Sequence, residues 1–293
     1  MIEMNHVTKT FGQFKALDDL TMTVPRGAVF GLVGPNGAGK STAIRHLAGV
    51  YRPDCGEITL EGKSIYENPT AKERIGTIPD DIFFFPSATM EDMKKFYQGI
   101  YPKFDESLYH KLFDAFDLPK KAPLRRFSKG MQKQAAFHLT LCTRPDVLIL
   151  DEPVDGLDPV MRRQVWSLIL SDVAQYETTV LISSHNLREL EDICDHVGIM
   201  DHGKMLLQRS LSDMQSSTHK LQIVGEIPEG LDILHSSSSG RLNTLIVRGD
   251  AEAITARVSQ TRPAYFDLLP LSLEEIFIYE LGGVNYEVKN IVL

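Results

Sequence analysis

The stretch GPNGAGKST, from Gly34 to Thr42, decides the fold of this 293-residue chain. It fits the pattern G-x-x-x-x-G-K-[ST] and follows a short apolar run, VFGLV (Val29 to Val33). Glycines in such a loop let backbone N–H groups turn towards an anion, and a helix that follows directs its positive end at the same point. The pattern therefore predicts a nucleoside triphosphate site. The helix is predicted from the spacing of Ile44, Leu47, Ala48 and Tyr51.

The side chains of this loop have separate expected roles. Lys40 is expected to reach the β- and γ-phosphates as a mobile charge, and the hydroxyl of Ser41 to meet Mg²⁺. GTPases, nucleotide kinases, helicases and transporters all use such a loop, so it does not fix the reaction. Asn-Lys-x-Asp is absent from the sequence, which disfavours a GTPase. The predicted nucleotide-binding residues are Gly34, Pro35, Asn36, Gly37, Ala38, Gly39, Lys40, Ser41 and Thr42.

Two further apolar runs, Val147 to Leu150 and Thr179 to Ile182, predict buried parallel strands. Alternation of such strands with helical segments indicates an α/β layered domain. Residues 83–141 carry a helical pattern without buried-strand runs, which predicts an all-helical insertion.

The pattern changes again from about Thr218. We predict strands at 221–224 and 242–247, helices at 252–258 and 273–279, and a surface turn at SSSSG (Ser236 to Gly240). The expected division is a nucleotide-binding α/β domain over residues 1–215 and a small α+β domain over residues 216–293.

The second apolar run ends in two acids, in the sequence VLILDEP (Val147 to Pro153). Ligands of open α/β sheets lie at the carboxyl ends of the strands. Asp151 is therefore expected to hold Mg²⁺ through a water, and Glu152 to accept a proton from an attacking water. His185 follows the third run and is expected at the same edge of the sheet. A solvated strand end and a structural histidine are the alternative interpretations.

Composition excludes several classes of function. The net charge is −8, and an acidic chain repels phosphate backbones, so we expect no nucleic-acid partner. No apolar run approaches the ~20 residues that cross a bilayer, and the first residues lack a signal-peptide pattern. The three cysteines, Cys55, Cys142 and Cys194, are widely separated and are interpreted as free thiols in a reducing compartment.

The segment FSKGMQKQ, from Phe127 to Gln134, opens an amphipathic stretch with a serine that can cap a helix. It resembles the signature sequence, usually written LSGGQ, of the ATPase subunits of ABC transporters. The resemblance covers roughly residues 1–215. In that family the signature binds the γ-phosphate of the ATP held by the other subunit, and a helix N-terminus suits an anion. The residues implied to bind ATP across a dimer are Ser128, Lys129, Gly130, Met131 and Gln132.

Other segments resemble the family in the same order along the chain. Phe11 resembles the aromatic residue that stacks on adenine, with Phe14 as the weaker candidate. Asp158, in VDGLDP, resembles the D-loop residue that crosses the dimer interface. His185 resembles the histidine that contacts the γ-phosphate, and Thr42 is implied to touch the α-phosphate.

The sequence departs from the family pattern at two places. In the signature, Lys129 replaces the first glycine and Met131 replaces the glutamine. In RIGTIPDD (Arg74 to Asp81), Asp80 stands where the family has the Q-loop glutamine. A carboxylate is a hard ligand that suits Mg²⁺, so we expect metal contact from Asp80. When ionised it cannot donate a hydrogen bond as an amide does, so we expect altered timing of hydrolysis.

The resemblance implies a P-loop NTPase core with an antiparallel β subdomain. It implies that ATP and Mg²⁺ are bound, that a second ATPase chain, identical or related, completes each site, and that an integral membrane permease is the partner. The chain would then act at the cytoplasmic face of the membrane. The acidic Q-loop and the ending PLSLEEIF (Pro270 to Phe277) resemble the ATPases of ABC-2 type bacterial exporters.

Two other functions remain open from the sequence. One is an ABC-type ATPase without a membrane partner, in repair or translation, which predicts stimulation by nucleic acid. The other is a regulatory subunit that binds ATP without hydrolysing it. The run FFFP (Phe83 to Pro86) is interpreted first as core of the helical insertion. Its alternative role is an apolar groove for a short helix of the membrane partner, which cross-linking from Phe84 would test.

Overall fold

The computed structural model describes residues 1–184 and 187–281, with only the backbone at residues 277, 280 and 281. The chain divides into two compact units, Met1–His185 with Ile193–Gln208, and Asn186–Asp192 with Arg209–Leu293. The strands are β1 (Ile2–Phe11), β2 (Phe14–Val24), β3 (Val29–Val33), β4 (Cys55–Leu60), β5 (Lys63–Ser64), β6 (Ile75–Ile78), β7 (Val147–Asp151), β8 (Thr179–Ser183), β9 (His196–Asp201), β10 (Lys204–Ser210), β11 (Thr218–Val224), β12 (Asp232–Ser239), β13 (Leu242–Arg248) and β14 (Tyr265–Pro270). The helices are α1 (Lys40–Leu47), α2 (Pro69–Lys72), α3 (Met90–Ile100), α4 (Glu106–Phe116), α5 (Lys129–Leu141), α6 (Pro159–Tyr176), α7 (Leu187–Glu191), α8 (Leu211–Ser217), α9 (Ala251–Gln260) and α10 (Leu273–Leu281).

A six-stranded sheet forms the centre of the first unit, in the order β10-β9-β3-β8-β7-β6. The pairs β3/β8, β3/β9, β7/β8 and β6/β7 are parallel. Every residue of β3, β7 and β8 is buried, as expected for strands covered on both faces. The three predicted parallel strands and the α/β fold class are confirmed. Because parallel strands share their direction, the loops after β3, β6, β7 and β8 reach the same edge of the sheet.

An antiparallel sheet in the order β2-β1-β4-β5 belongs to the same unit. One buried cluster contains residues from both sheets and from α1, among them Met4, Leu20, Phe30, Leu47 and Ile149. A fully buried side chain of this kind contributes roughly 1.5–3 kcal/mol relative to an exposed one. This shared core fixes the start of α1 against the strands that carry the acidic residues.

Helices fill the chain between β6 and β7. Side chains cap their N-termini: Thr89 caps α3 in a reciprocal pair with Asp92, Asp105 caps α4, and Ser128 caps α5. Arg144, just before β7, donates to the carboxylate of Asp105 at 2.8 Å and to that of Asp172 on α6 at 3.0 Å. This arginine therefore joins the helical segment to the α/β core by charge-assisted hydrogen bonds.

The second unit contains a four-stranded antiparallel sheet in the order β12-β13-β11-β14. Its core joins the sheet to α9 and contains Leu221, Ile223, Leu245, Val247, Ile254 and Val258. The strands and helices expected at 221–224, 242–247, 252–258 and 273–279 all occur within these elements.

Two local predictions are wrong in part. Of the surface turn predicted at Ser236 to Gly240, only Gly240 lies in a turn, because Ser236 to Ser239 are the last half of β12, which pairs with β13. An edge strand is held by its backbone hydrogen bonds, so exposed serines are compatible with it. Helix α1 ends at Leu47 and does not reach Tyr51, because Gly49 adopts the left-handed conformation, with a φ of 67°, and the chain leaves the helix there.

Candidate functional site

The loop between β3 and α1 has the geometry of an anion cradle. Gly39 precedes α1 in the left-handed conformation, with a φ of 103°, and no side chain caps the helix. The N–H groups of the first turn are therefore left to a ligand or to solvent. A Cβ atom added at Gly39 would lie 2.6 Å from the carbonyl oxygen of Ala16, so only glycine fits without movement of the backbone.

Lys40 is the first residue of α1, and its side chain folds back over the loop. Its ammonium donates to the carbonyl oxygens of Gly34, at 2.7 Å, and Pro35, at 3.2 Å. Burial lowers the pKa of Lys40, and the nearby charges of Glu152 and Asp151 oppose this shift. A buried cation held by neutral carbonyl groups is suited to exchange them for phosphate oxygens, which bind an ammonium more strongly.

A cavity of about 330 Å³ opens over this loop. It brings together the phosphate loop and two of the predicted acidic residues, which lie far away in sequence. The size is at the lower end of typical ligand pockets. The lining residues are Phe14, Ala16, Asn36, Gly37, Ala38, Gly39, Lys40, Ser41, Thr42, Asp80 and Glu152.

Asp151 and Glu152 face different surroundings although they are adjacent. Asp151 ends β7, is buried, and accepts a hydrogen bond of 2.5 Å from the hydroxyl of Ser183 on β8. The backbone N–H of Glu152 donates to the carbonyl and the hydroxyl oxygens of Ser183, both at 3.2 Å. Glu152 is in the left-handed conformation, with a φ of 47°, which is uncommon for residues other than glycine and is one of the conformations found at functional sites. Its side chain lines the cavity, whereas that of Asp151 is held behind it.

Asp80 follows β6 at the same edge, and its side chain is 57% exposed. Its carboxylate lies 3.4 Å from the ammonium of Lys133, a buried lysine of α5. The same ammonium donates to the backbone carbonyl of Glu152 at 2.6 Å. One cation therefore joins the residue in the Q-loop position to the backbone of the predicted base.

The signature segment forms the beginning of α5. The hydroxyl of Ser128 accepts from the N–H of Met131 at 3.2 Å, and Ser128 and Lys129 are exposed. A Cβ atom added at Gly130 would lie 3.3 Å from the carbonyl oxygen of Gly156, so the first turn of α5 is in close contact with the loop between β7 and α6. The amide of Gln132 donates to the carbonyl oxygen of Phe127 at 3.0 Å. Ser128 to Gln132 do not line the cavity over the chain's own phosphate loop.

Three other predicted residues have the following places. Asp158 caps α6 by accepting from the N–H groups of Val160 and Met161, each at 3.0 Å. The ring of Phe11 packs edge-on against Tyr51, with ring centroids 5.5 Å apart, and it is Phe14 that lines the cavity. His185 lies outside the described residues.

The oxygen donors at this site fit a magnesium ion that is bound together with a nucleotide. Within residues 1–184 and 187–281 there is no group of three or more His, Cys, Asp or Glu side chains that could hold a metal alone. Mg²⁺ in phosphoryl-transfer sites takes only one or two carboxylates and completes its shell with phosphate oxygens and waters. Ser41 and Asp80 line the cavity beside the phosphate loop and provide such donors, whereas Asp151 is not among the lining residues.

Comparison with known sequences identifies the family. The family model described as ABC transporter matches residues 17–155. The ABC transporter ATP-binding protein YtrB of Bacillus subtilis is 30% identical over 97% of this chain and 99% of its own length. The chain belongs to the ABC transporter ATP-binding proteins. A second relative of this ABC ATPase, the Nod factor export ATP-binding protein I of Cupriavidus pinatubonensis, is 31% identical over 96% of this chain and 91% of its own.

Solved structures agree with this assignment. An ATP-binding subunit of an ABC transporter superposes with a TM-score of 0.68 at 27% identity, over 73% of this chain and 92% of that one. A bacterial ABC transporter cassette solved as a dimer gives a TM-score of 0.66 at 19% identity, over 72% and 99%, which supports the fold alone. This ABC ATPase binds and hydrolyses ATP. No helix among its described residues is long and apolar enough to span a membrane.

Two residues at the site of this ABC ATPase were missed by sequence reasoning. Ser183 holds Asp151 and the N–H of Glu152, and the register of β7 with β8 places it directly beside Asp151. Lys133 joins α5 to the acidic residues. The only sequence signal for Lys133 is a charged residue on the otherwise buried face that continues with Ala135, Ala136 and Leu139.

Proposed function

We propose that this chain is the ATP-hydrolysing subunit of an exporter, in which two ATPase chains close around two ATP molecules and drive a separate integral membrane permease. The two ATPase chains are either two copies of this chain, or one copy of it and one related ATPase chain. The ATPase chains would lie at the cytoplasmic face of the membrane. Export is supported by the relatives named for Nod factor export and by the resemblance to ABC-2 type ATPases.

One observation carries the shared site. The cavity over the phosphate loop contains Lys40, Asp80 and Glu152 but none of the residues Ser128–Gln132, all of which the structure describes. The exposed N-terminus of α5 is nevertheless suited to an anion, since Ser128 and Lys129 offer a hydroxyl and a positive charge at the positive end of the helix dipole. A helix N-terminus that suits phosphate, but does not line the cavity over the phosphate loop of the same chain, is suited to bind the nucleotide of another chain.

Each side chain then has one task in the reaction. The phosphate loop and Lys40 hold the β- and γ-phosphates, and Ser128 and Gly130 of the second chain cover the γ-phosphate. Glu152 orients a water in line with the γ-phosphate and accepts its proton. The backbone contacts of Glu152 fix the point from which its side chain enters the cavity. Such positioning matters because positioning and charge stabilisation supply most of the catalysis in phosphoryl transfer. When bound, Mg²⁺ would neutralise phosphate charge, held by Ser41 and Asp80 and by Asp151 through a water.

The mass of the Glu152→Gln chain in solution tests the shared site. We expect a monomer without nucleotide and a dimer with Mg-ATP, measured by light scattering, because a chain that binds but hardly hydrolyses ATP accumulates in the closed state. Glu57→Gln, the same change at an exposed strand residue, should hydrolyse ATP and should not accumulate the dimer. A Glu152→Gln monomer under both conditions would contradict a homodimer.

An exposed aromatic patch supports a membrane partner. It consists of Phe83, Phe85 and Phe96, which are 71%, 47% and 44% exposed. The ring centroids of Phe83 and Phe85 are 6.3 Å apart, and those of Phe85 and Phe96 are 5.3 Å apart. Phe84 is buried, at 4% exposure, which agrees with the interpretation of FFFP as core of the insertion, so contact with a partner has to be tested at the exposed rings and not at Phe84. Contiguous exposed rings of this kind are typical of protein interfaces.

A photo-crosslinking residue in place of Phe85 is expected to give a product with a co-expressed permease. The matched position is Tyr176, an exposed aromatic residue near the end of α6, 49% exposed, which should give only background. Equal yields at the two positions, read on a gel, would remove the patch as the docking surface.

An ABC-type ATPase that acts on nucleic acid is not favoured. The net charge of −8 opposes binding to a phosphate backbone, and ATP hydrolysis by this chain should not respond to added DNA or RNA.

A further inference from the structure

Lys133 is buried beside the hydrolysis site, but none of the steps described above uses it. It lies on α5, in the second turn after the Ser128 cap, and is only 5% exposed. Its ammonium contacts the ends of two strands, the backbone carbonyl of Glu152 after β7 at 2.6 Å and the carboxylate of Asp80 after β6 at 3.4 Å. A buried ammonium is costly unless such acceptors surround it. The lysine therefore ties the helix that begins with the signature to both acidic segments.

The contact with Glu152 bears on the direction of its side chain. The backbone of Glu152 is in the left-handed conformation, which a residue with a side chain keeps only where its surroundings hold it. Ser183 holds the N–H of this residue and Lys133 holds its carbonyl oxygen. Because both ends of the residue are fixed, the direction of its Cα–Cβ bond is fixed, and this sets the point at which the side chain enters the cavity. Loss of the lysine would let the base move away from the line of attack.

The contact of Lys133 with Asp80 should weaken metal binding, whereas its contact with Glu152 supports catalysis. A positive charge 3.4 Å from the carboxylate oxygen repels a second cation that approaches the same carboxylate. Asp80 is shared between Lys133 and any metal ion that binds at the cavity. Lys133 should therefore orient the base and, through the same ammonium, weaken the metal site.

We propose that Lys133 is a positioning residue that links the signature helix to the hydrolysis site, holding Glu152 through its carbonyl group and limiting the affinity of Asp80 for Mg²⁺. The inference rests on the proposed function, in which Glu152 is the general base and Asp80 meets the metal. It makes the two acidic segments responsive to any displacement of α5, and the N-terminus of α5 is the part that would contact the second chain's nucleotide.

The test compares Lys133→Met with Lys111→Met, which changes an exposed lysine of α4. In the full-length chain, Lys133→Met should lower kcat for ATP on the order of tenfold with KM changed by less than about twofold. The control should leave both unchanged. Lys133→Arg keeps the charge and the reach and should restore kcat to within about threefold of wild type.

A second measurement needs no turnover. In the Glu152→Gln background, binding of a fluorescent ATP derivative is followed as Mg²⁺ is added. The half-saturating Mg²⁺ concentration should fall about threefold or more with Lys133→Met, since a repelling charge is removed. With Asp80→Asn also present, Lys133→Met should no longer shift it. A lysine that only stabilises the fold would leave this concentration unchanged or raise it.

Two outcomes would overturn the proposal. One is a lower kcat with no change in the half-saturating Mg²⁺ concentration, and the other is a change in that concentration that persists when Asp80→Asn is also present. If Lys133→Met does not melt cooperatively, Lys133→Gln replaces it, and the fall in half-saturating Mg²⁺ concentration is then the deciding readout, because glutamine removes the positive charge but can still donate a hydrogen bond. Failure of the proposed function is recognised separately, since Glu152→Gln would then hydrolyse ATP at the wild-type rate whatever the Lys133 variants do.

Discussion

Replacing Glu152 with glutamine should lower kcat for ATP hydrolysis by about 10²- to 10⁴-fold, the usual contribution of a general base. Glutamine keeps the shape of the side chain but cannot take a proton from water. The backbone contacts of Glu152 with Ser183 and Lys133 do not involve the carboxylate, so the loop should keep its conformation. Release of phosphate under saturating Mg-ATP measures the effect.

Binding of nucleotide separates this role from a structural one. A fluorescent ATP derivative should bind to Glu152→Gln within about threefold of its wild-type affinity, since the phosphate loop supplies most of the contacts. The exposed change Glu57→Gln is the matched control and should retain full activity. Loss of ATP binding, or turnover near the wild-type rate, would be inconsistent with Glu152 as the base.

Replacing Lys40 with alanine should weaken the binding of ATP itself by about 10- to 100-fold, because a hydrogen bond to a charged group contributes about 1.5–3 kcal/mol. The two carbonyl groups that Lys40 holds in the structure, those of Gly34 and Pro35, would also lose their donor. The loop should then be looser before any phosphate arrives. Titration with the fluorescent ATP derivative gives the dissociation constant.

Two controls isolate the phosphate contact in that experiment. Lys63→Ala removes an exposed lysine of β5 and should leave ATP affinity unchanged. Thermal melting without nucleotide reports whether the loop change has destabilised the core around α1. An unchanged affinity for ATP in a well-folded Lys40→Ala chain would refute the role given to this lysine.

Local patterns predicted much of this fold because the interactions behind them are local. The run VFGLV could be assigned to a buried strand because a strand covered on both faces is apolar throughout. The glycines around Lys40 predicted the anion cradle because the left-handed conformation at Gly39 depends on the residue type. Ser128 predicted the start of α5 because a cap bonds to the N–H of the third residue after it.

Predictions failed where a residue's surroundings decide its state. The serine run was assigned to a turn because its composition is typical of turns, but an edge strand tolerates the same residues. The helical pattern to Tyr51 was extended past Gly49, where the backbone conformation ends α1. In FFFP the composition could not show which ring is buried, and only the central one, Phe84, is.

The sequence alone determined the buried strands, the phosphate loop, the acidic strand end and the capped start of α5, since each depends on residues within about ten positions of one another. Only the tertiary structure decided how these parts meet. The pairing of β7 with β8 sets Ser183 beside Asp151, and the packing of α5 on the sheet carries the ammonium of Lys133 to Glu152 and Asp80. Contacts between residues so far apart along the chain depend on the packing of whole elements, and no local pattern records them.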